Sequence, residues 1–275
     1  MVSLTDSSYK LPTIEALSCF EQFHHGTTLP MAIWGVDTKS GERGQYVVKF
    51  KNQTRMSNSA SAFEYLGAWM ALEMGLFAAE PVVVTISEDF VSTLSGRDGY
   101  KAARQSMGVN FGSRYVAGVT QIPPSGYVFS KEQVNQAKQL FVLDLFIQNI
   151  DRGHQKPNVG FFGDQLFIYD HELAFSFTRQ LSFTRNKLPW FIDMDDSELY
   201  KKHFFYRYLK ELGECEFAIQ VHNLKRLGYE FWIHVDRHMP NEFHVAELID
   251  IKNYLLPILD HESEFTSSIQ KIMTL

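Results

Sequence analysis

The spacing of apolar and polar residues changes period midway along the chain. In the first part the period is short and strand-like. Ile14 to Phe23 and Leu29 to Val36 predict two strands, and Asp37 to Gly44 predicts a turn. Gln45-Tyr-Val-Val-Lys-Phe50 predicts a third strand, with Tyr46, Val48 and Phe50 alternating against Val47 and Lys49. A polar stretch follows from Asn52 to Ser61. Ala62 to Gly75 then predicts a helix, with Phe63, Leu66, Met70 and Met74 on one side and Gly75 as its C-cap. Pro81 to Ile86 predicts another strand. Ser87 to Gly99 reads as a surface excursion, and Val109 to Val116 as a strand or a linker. Thr120-Gln-Ile-Pro-Pro-Ser-Gly126 interrupts both periods and predicts a connection between two lobes.

Beyond that connection the period lengthens. Val134, Ala137, Leu140, Phe141, Leu145 and Phe146 recur at three- and four-residue spacing, which predicts a helix from Lys131 to Ile150. Gly153 and Pro157 should stop it near Asp151. Val159 to Tyr169 predicts a hairpin turning at Gly163-Asp164. Asp195 to Leu212, Glu214 to Leu227 and Val245 to Met273 predict further helices, the last with a break near Pro257. The expectation is an α+β fold. Residues 1–122 form a β-rich lobe with one helix, and residues 123–275 a mostly helical lobe within the same domain.

Composition narrows the picture. With 275 residues the chain can bury a large core. Its net charge of −6 speaks against a general nucleic-acid binder. No apolar run is long enough for a membrane span, and the first residues lack the pattern of a signal peptide. The expectation is therefore a cytoplasmic protein. Cys19 and Cys215 are the two cysteines and are expected as buried free thiols.

Chemistry concentrates in Asn149-Ile-Asp-Arg-Gly-His-Gln-Lys-Pro-Asn158, followed by Asp170-His171. Asp151 is expected just past the long helix, placed as a proton acceptor. The hairpin should bring Asn158 and Asp170 side by side, two oxygen donors suited to Mg²⁺. Phosphoryl transfer from ATP needs little beyond positioning, metal and a base. Lys49 interrupts an apolar strand, and burying its ammonium is costly unless it meets negative charge. Nucleotide phosphates and Glu64, on the following helix, are the expected partners, with Glu73 the alternative. His25-Gly26-Thr27-Thr28 joins two strands, where Gly26, Thr27 and Thr28 can hold phosphate oxygens. No P-loop pattern occurs. His154 and His171 match no usual zinc spacing and are expected to order the loop.

In these residues the chain resembles the HipA-like kinase family, in particular its shorter members. The resemblance rests on Tyr46-Val-Val-Lys-Phe50, Glu64, Asp144 with Asn149-Ile-Asp151-Arg152, Pro157-Asn158 and Ile168-Tyr-Asp170-His171. It spans residues 10 to 180 and implies a two-lobed kinase-like fold that transfers phosphate from Mg²⁺·ATP to serine or threonine. It assigns Asp151 as the base, Asn158 and Asp170 as Mg²⁺ ligands, and Lys49 as a contact to the α- and β-phosphates. It places Ser57 to Ser61 where the family carries a mobile, autophosphorylated loop. The chain also departs from the general protein-kinase pattern. Asp151 and Asn158 are seven residues apart rather than five, and His171-Glu172 stands where a glycine would follow the metal-binding aspartate.

Three other readings compete. The acceptor of the phosphate is a protein in the leading reading and a small molecule in the first alternative, because a kinase-like fold serves both. The second alternative is a catalytically silent nucleotide-binding scaffold. The third is a metal hydrolase using Asp151, His154, Asp170 and His171. An antitoxin or other regulatory partner is left open.

Overall fold

A computed structural model describes residues 2–23, 29–53, 56–121, 127–181 and 185–274. Its first elements are β1 (Thr13–Gln22), β2 (Met31–Asp37), β3 (Arg43–Lys49), α1 (Asn58–Glu73), β4 (Phe77–Ala78) and β5 (Pro81–Ile86). Then come α2 (Glu88–Thr93), α3 (Tyr100–Gln105), β6 (Gly108–Arg114) and β7 (Thr120–Gln121). The chain continues through α4 (Lys131–Phe146) into the hairpin of β8 (Val159–Phe162) and β9 (Gln165–Ile168). It ends in α5 (Met194–Tyr200), α6 (Tyr206–Glu211), α7 (Ala218–Asn223), α8 (Tyr229–His238), α9 (Glu247–Leu259) and α10 (Glu262–Thr274). The architecture is mixed α+β, with a β-rich N-terminal region and a helical C-terminal part.

Strand alternation in the first region builds a closed barrel in the order β1-β2-β3-β6-β5, sealed where β1 runs parallel to β5. The inward residues, among them Ile14, Ile33, Tyr46, Val48, Val82 and Val84, form one core, to which Phe90 and Leu94 also belong. Closure removes the exposed edges that a small sheet would otherwise present. Val109 to Arg114 proves to be a barrel strand and not a linker, because β6 pairs on one side with β3 and on the other with β5.

The helix α1 begins four residues before the sequence pattern suggested. The side chain of Ser57 accepts a hydrogen bond from Ala60 N and caps it, so Asn58 to Ser61 are helical rather than part of a polar loop. The residues from Ala60 to Leu72 are all buried. A helix that is apolar all round belongs in a core, and α1 lies between the barrel and the main cluster. Tyr65 donates its hydroxyl to Val82 O at 2.9 Å and meets Phe111 edge-on, while Phe63 packs on Phe175.

A second sheet, in the order β4-β9-β8-β7, joins the two regions. The main cluster runs from α1 through α4 and the hairpin to Ile272 and Met273 in α10. The long segments read as single helices are divided. Asp195 to Leu212 is two helices, because the turn between α5 and α6 delivers His203 into the core beneath the loop after α4. Pro257 lies inside the last turn of α9, and the break comes at Asp260 and His261. No helix among the described residues is long and apolar enough to cross a membrane. Cys19 and Cys215 are free but only half-buried. The connection from residue 122 to residue 126 lies outside the described residues.

Candidate functional site

The loop after α4 is shaped by its own end. Gln148 takes the left-handed conformation at φ 47°, and Asn149 N turns back to donate to Asp144 O at 2.8 Å. These two features stop the helix at Phe146, ahead of Gly153 and Pro157. Asp144, fully buried in the last turn, anchors the loop from below. Its Oδ2 accepts from Arg152 Nε at 2.5 Å and from His203 Nε2 at 2.9 Å, and its Oδ1 accepts from Asn149 Nδ2 at 3.0 Å. His203 Nδ1 accepts from Phe205 N, which fixes the neutral tautomer that donates through Nε2. The second arm of the Arg152 guanidinium donates to Asn158 O at 2.8 Å and Pro157 O at 3.2 Å. One buried side chain thus ties α4, the loop and the start of the hairpin.

Burial works to raise the Asp144 carboxyl, but Arg152 and His203 outweigh it and hold it down at about 2. Burial also pushes His203 below the usual histidine range. Both groups keep the charge state their hydrogen bonds require.

Asn158 and Asp170 stand at the same end of the hairpin, just outside the pair Val159↔Ile168. Both have positive φ, 51° and 66°. Asn and Asp tolerate this region best among non-glycine residues, and such strain gathers at functional positions. The Asn158 side-chain amide donates to Asp151 Oδ2 at 3.4 Å, which leaves its oxygen as the atom on offer. Asp151 itself is partly exposed.

From Asp151 a line of alternating charge runs inward. Lys156 Nζ lies 3.9 Å from Asp151 Oδ2 and 2.8 Å from Asp170 Oδ2. Asp170 Oδ1 accepts from Lys49 Nζ at 2.8 Å, and Lys49 also donates to Glu64 Oε1. Lys49 Nζ is 3.5 Å from Glu172 Oε2 as well. The other oxygen of Glu64 accepts from His171 N at 3.0 Å. Lys49 sits on β3, an inner strand flanked by β2 and β6, and is buried rather than an edge lysine with a solvated tip. Glu73 is not its partner. It holds the N-terminal segment through Ser3 Oγ, Thr5 Oγ1 and the Leu4 backbone N–H.

The electrostatics follow from the count of charges. Burial alone would lower Lys49, but Asp170, Glu64 and Glu172 around it raise it, so it stays protonated. Burial would raise Asp170, but Lys49 and Lys156 hold it well below the usual carboxylate range. Burial pushes Glu64 up to about 7 and Glu172 upward too. One buried ammonium faces three carboxylates, so Lys49 keeps its proton while the surplus negative charge draws further protons to the glutamates.

Among the described residues, the one set of three carboxylate, histidine or cysteine side chains close enough to share a cation is Glu64, Asp170 and Glu172, with one oxygen of each within 4.8 Å of the others. The set Asp151, His154, Asp170 and His171 does not assemble. His154 is exposed against Phe204, and His171 is buried against Gly67 of α1, where a Cβ would lie 2.5 Å from the His171 Cβ. Lys156, Glu172 and His203 are the residues of the region to which sequence reasoning gave no role. Glu172 was adjacent to the motif, whereas nothing in sequence links His203 to Asp144. Gly26, Thr27 and Thr28 lie outside the described residues.

Residues 18–207 match a family model described as HipA-like kinase, more than half of the chain. The match covers every site residue named above. No curated protein matches the chain.

Proposed function

The chain belongs to the HipA-like kinase family, and from that premise we propose that it transfers the γ-phosphoryl group of ATP to a serine or threonine hydroxyl of a protein. Residues 1–122 and 123–275 are then the two lobes of one kinase-like domain. The observation that carries the reading is the unbroken contact line Asp151–Lys156–Asp170–Lys49–Glu64. It puts a partly exposed carboxylate at one end and a buried lysine–glutamate pair at the other, with an ionised aspartate between them.

In this reading Asp151 accepts the proton of the acceptor hydroxyl as that oxygen bonds to the γ-phosphorus and the bond to the β–γ bridging oxygen breaks, leaving ADP. Glu64 holds Lys49 toward the α- and β-phosphates. Asp170 and Asn158 are hard oxygen donors and fit Mg²⁺. When bound, Mg²⁺ supplies neutralisation of charge on the phosphate oxygens. Arg152 touches no reactant and positions the loop from below.

The test is calorimetric titration of ATP with and without Mg²⁺, followed by transfer from γ-labelled ATP to protein acceptors. Mg²⁺-dependent binding that Asp170→Asn abolishes, with transfer lost in Asp151→Ala, supports the reading. Binding without transfer to any acceptor would favour the silent scaffold, and absence of nucleotide binding would overturn both.

A further inference from the structure

We propose that Arg179 selects the phosphate acceptor by pairing its guanidinium with a carboxylate beside the acceptor hydroxyl, so that the preferred acceptor is an acidic segment of a protein. The inference rests on the reading of Asp151 as the base of a protein kinase.

Four cations have side chains bonded into the segments that carry the site, and three of them are already paired. Lys49 is shared among Glu64, Asp170 and Glu172. Arg152 is buried against Asp144, and Lys156 lies on Asp170 at 2.8 Å. Arg179 differs. Its Nη2 donates to Glu172 O at 3.1 Å and its Nη1 to Leu173 O at 3.4 Å, and no carboxylate among the described residues forms an ion pair with it. Carbonyl oxygens hold a guanidinium in place without cancelling its charge. A guanidinium carries five N–H donors, so these two bonds leave others over. Arg179 is exposed, and the remaining donors are open to an incoming group.

Its position is fixed from both ends. Arg179 closes the short 3-10 turn Ser176–Arg179. Phe175, just before the turn, takes the left-handed conformation at φ 57°, and its N donates to Ile147 O at 2.7 Å. Ser176 N follows onto Gln148 O at 3.5 Å. The turn is therefore docked on the residues that lead into Asp151. From there the Arg179 side chain reaches back to the backbone just beyond Asp170 and His171. The carboxylates that act on its charge are those of Glu172 and Asp151. The arginine thus stands beside the base, where the segment bearing the acceptor hydroxyl has to lie.

Charge gives this placement its effect. Asp151, Asp170 and the nucleotide phosphates all repel an acidic chain. Such a chain gains a foothold only where a cation meets it, and of the four cations Arg179 is the one without a carboxylate of its own. The planar fork of a guanidinium takes a carboxylate through two parallel bonds, which adds geometry to the attraction.

The experiment measures transfer from γ-labelled ATP to serine peptides that are identical except for Glu, Gln or Lys at the flanking positions. The wild type should favour the Glu series over the Gln series by roughly tenfold in kcat/KM, the scale of a hydrogen bond between charged groups. Arg179→Gln should bring the two series level, and Arg179→Glu should favour the Lys series. A reversed preference is a result that a loosened loop does not produce. Equal wild-type rates on the Glu and Gln series overturn the proposal, and so does a preference that survives Arg179→Gln. A uniform loss over all series with weaker ATP binding also overturns it, and would make Arg179 a contact to the nucleotide phosphates. ATP binding without transfer to any series would instead overturn the underlying reading of Asp151, and the proposal with it. If Arg179→Gln unfolds too early to assay, Arg179→Lys takes its place, keeping the charge but not the fork. A preference cut several-fold then supports the proposal, and an intact one overturns it.

Discussion

Two buried ionic clusters lie within one loop of each other and are built to opposite plans. In the first, Asp144 meets Arg152, Asn149 and a neutral His203, and every member is nearly inaccessible. Positive and negative charge cancel there, and the oxygens of Asp144 are saturated with donors. In the second, around Asp170, carboxylates outnumber ammonium groups, Glu172 Oε2 has the Lys49 ammonium no nearer than 3.5 Å, and one lysine reaches to solvent. The balanced cluster holds a shape. The unbalanced one has capacity to spare, which is where a charged ligand gains most.

Disrupting the balanced cluster should have the largest effect. Asp144→Ala leaves Arg152 buried without its counter-charge, and breaking a buried pair in this way costs about 3–5 kcal/mol. Urea unfolding should show that loss, and a wild-type midpoint would mean that Arg152 finds a new partner. Asp151→Ala probes the contrast from the other side. It should lower phosphoryl transfer by roughly 10²–10⁴-fold, as for loss of a general base, with unfolding midpoint and ATP affinity unchanged. A parallel fall in stability would mean the two clusters are not separable.

A smaller effect is expected where α1 meets the loop. Gly67→Ala gains up to about 1 kcal/mol of helix propensity, but its Cβ meets the His171 ring, and overpacking costs about 1–3 kcal/mol. The net should be destabilising by thermal melting, and a more stable variant would show that His171 moves freely. The smallest effect is a pH slope. His203 is held neutral below its unfolded value of 6.5, so acidification through 6.5 protonates the unfolded chain first and stability falls. Asp144, lowered from 3.8 to about 2, adds its own loss only as pH drops through that lower window. His203→Gln should reduce the slope between about pH 7 and 5, with the share of His171, which burial lowers to about 3, left in place.

These contrasts also explain what could be read in advance. Lys49, Glu64, Asp151, Asn158 and Asp170 were legible because each breaks a local pattern, as a charge in an apolar run or a polar residue at a turn. The structure brings Lys49, Glu64 and Asp170 into direct contact, and Asn158 onto Asp151. His203 was illegible because its reason lies 59 residues away at Asp144. The helix α8, around buried Phe231, Trp232 and Val235, was passed over in a segment without clear stops. Ser57 to Ser61 read as loop because serine suits both loops and caps, and only the bond from Ala60 N decides between them. The linking sheet escaped notice because β4 and β7 are two residues each, too short for any period to register.

That sheet has a consequence for how the chain is made. Phe77 pairs with Phe167, and Thr120 with Phe161. During synthesis at about 5–20 residues per second, β4 leaves the ribosome roughly 5–18 s before its neighbour exists. The barrel can close in that interval, but Phe77 has yet to meet the rings of Phe162 and Phe167. The nascent protein therefore carries an open edge and a bare aromatic until the hairpin arrives. A pause in translation just before residue 159 should mark the moment when it is most exposed to chaperones and to its own neighbours on the polysome.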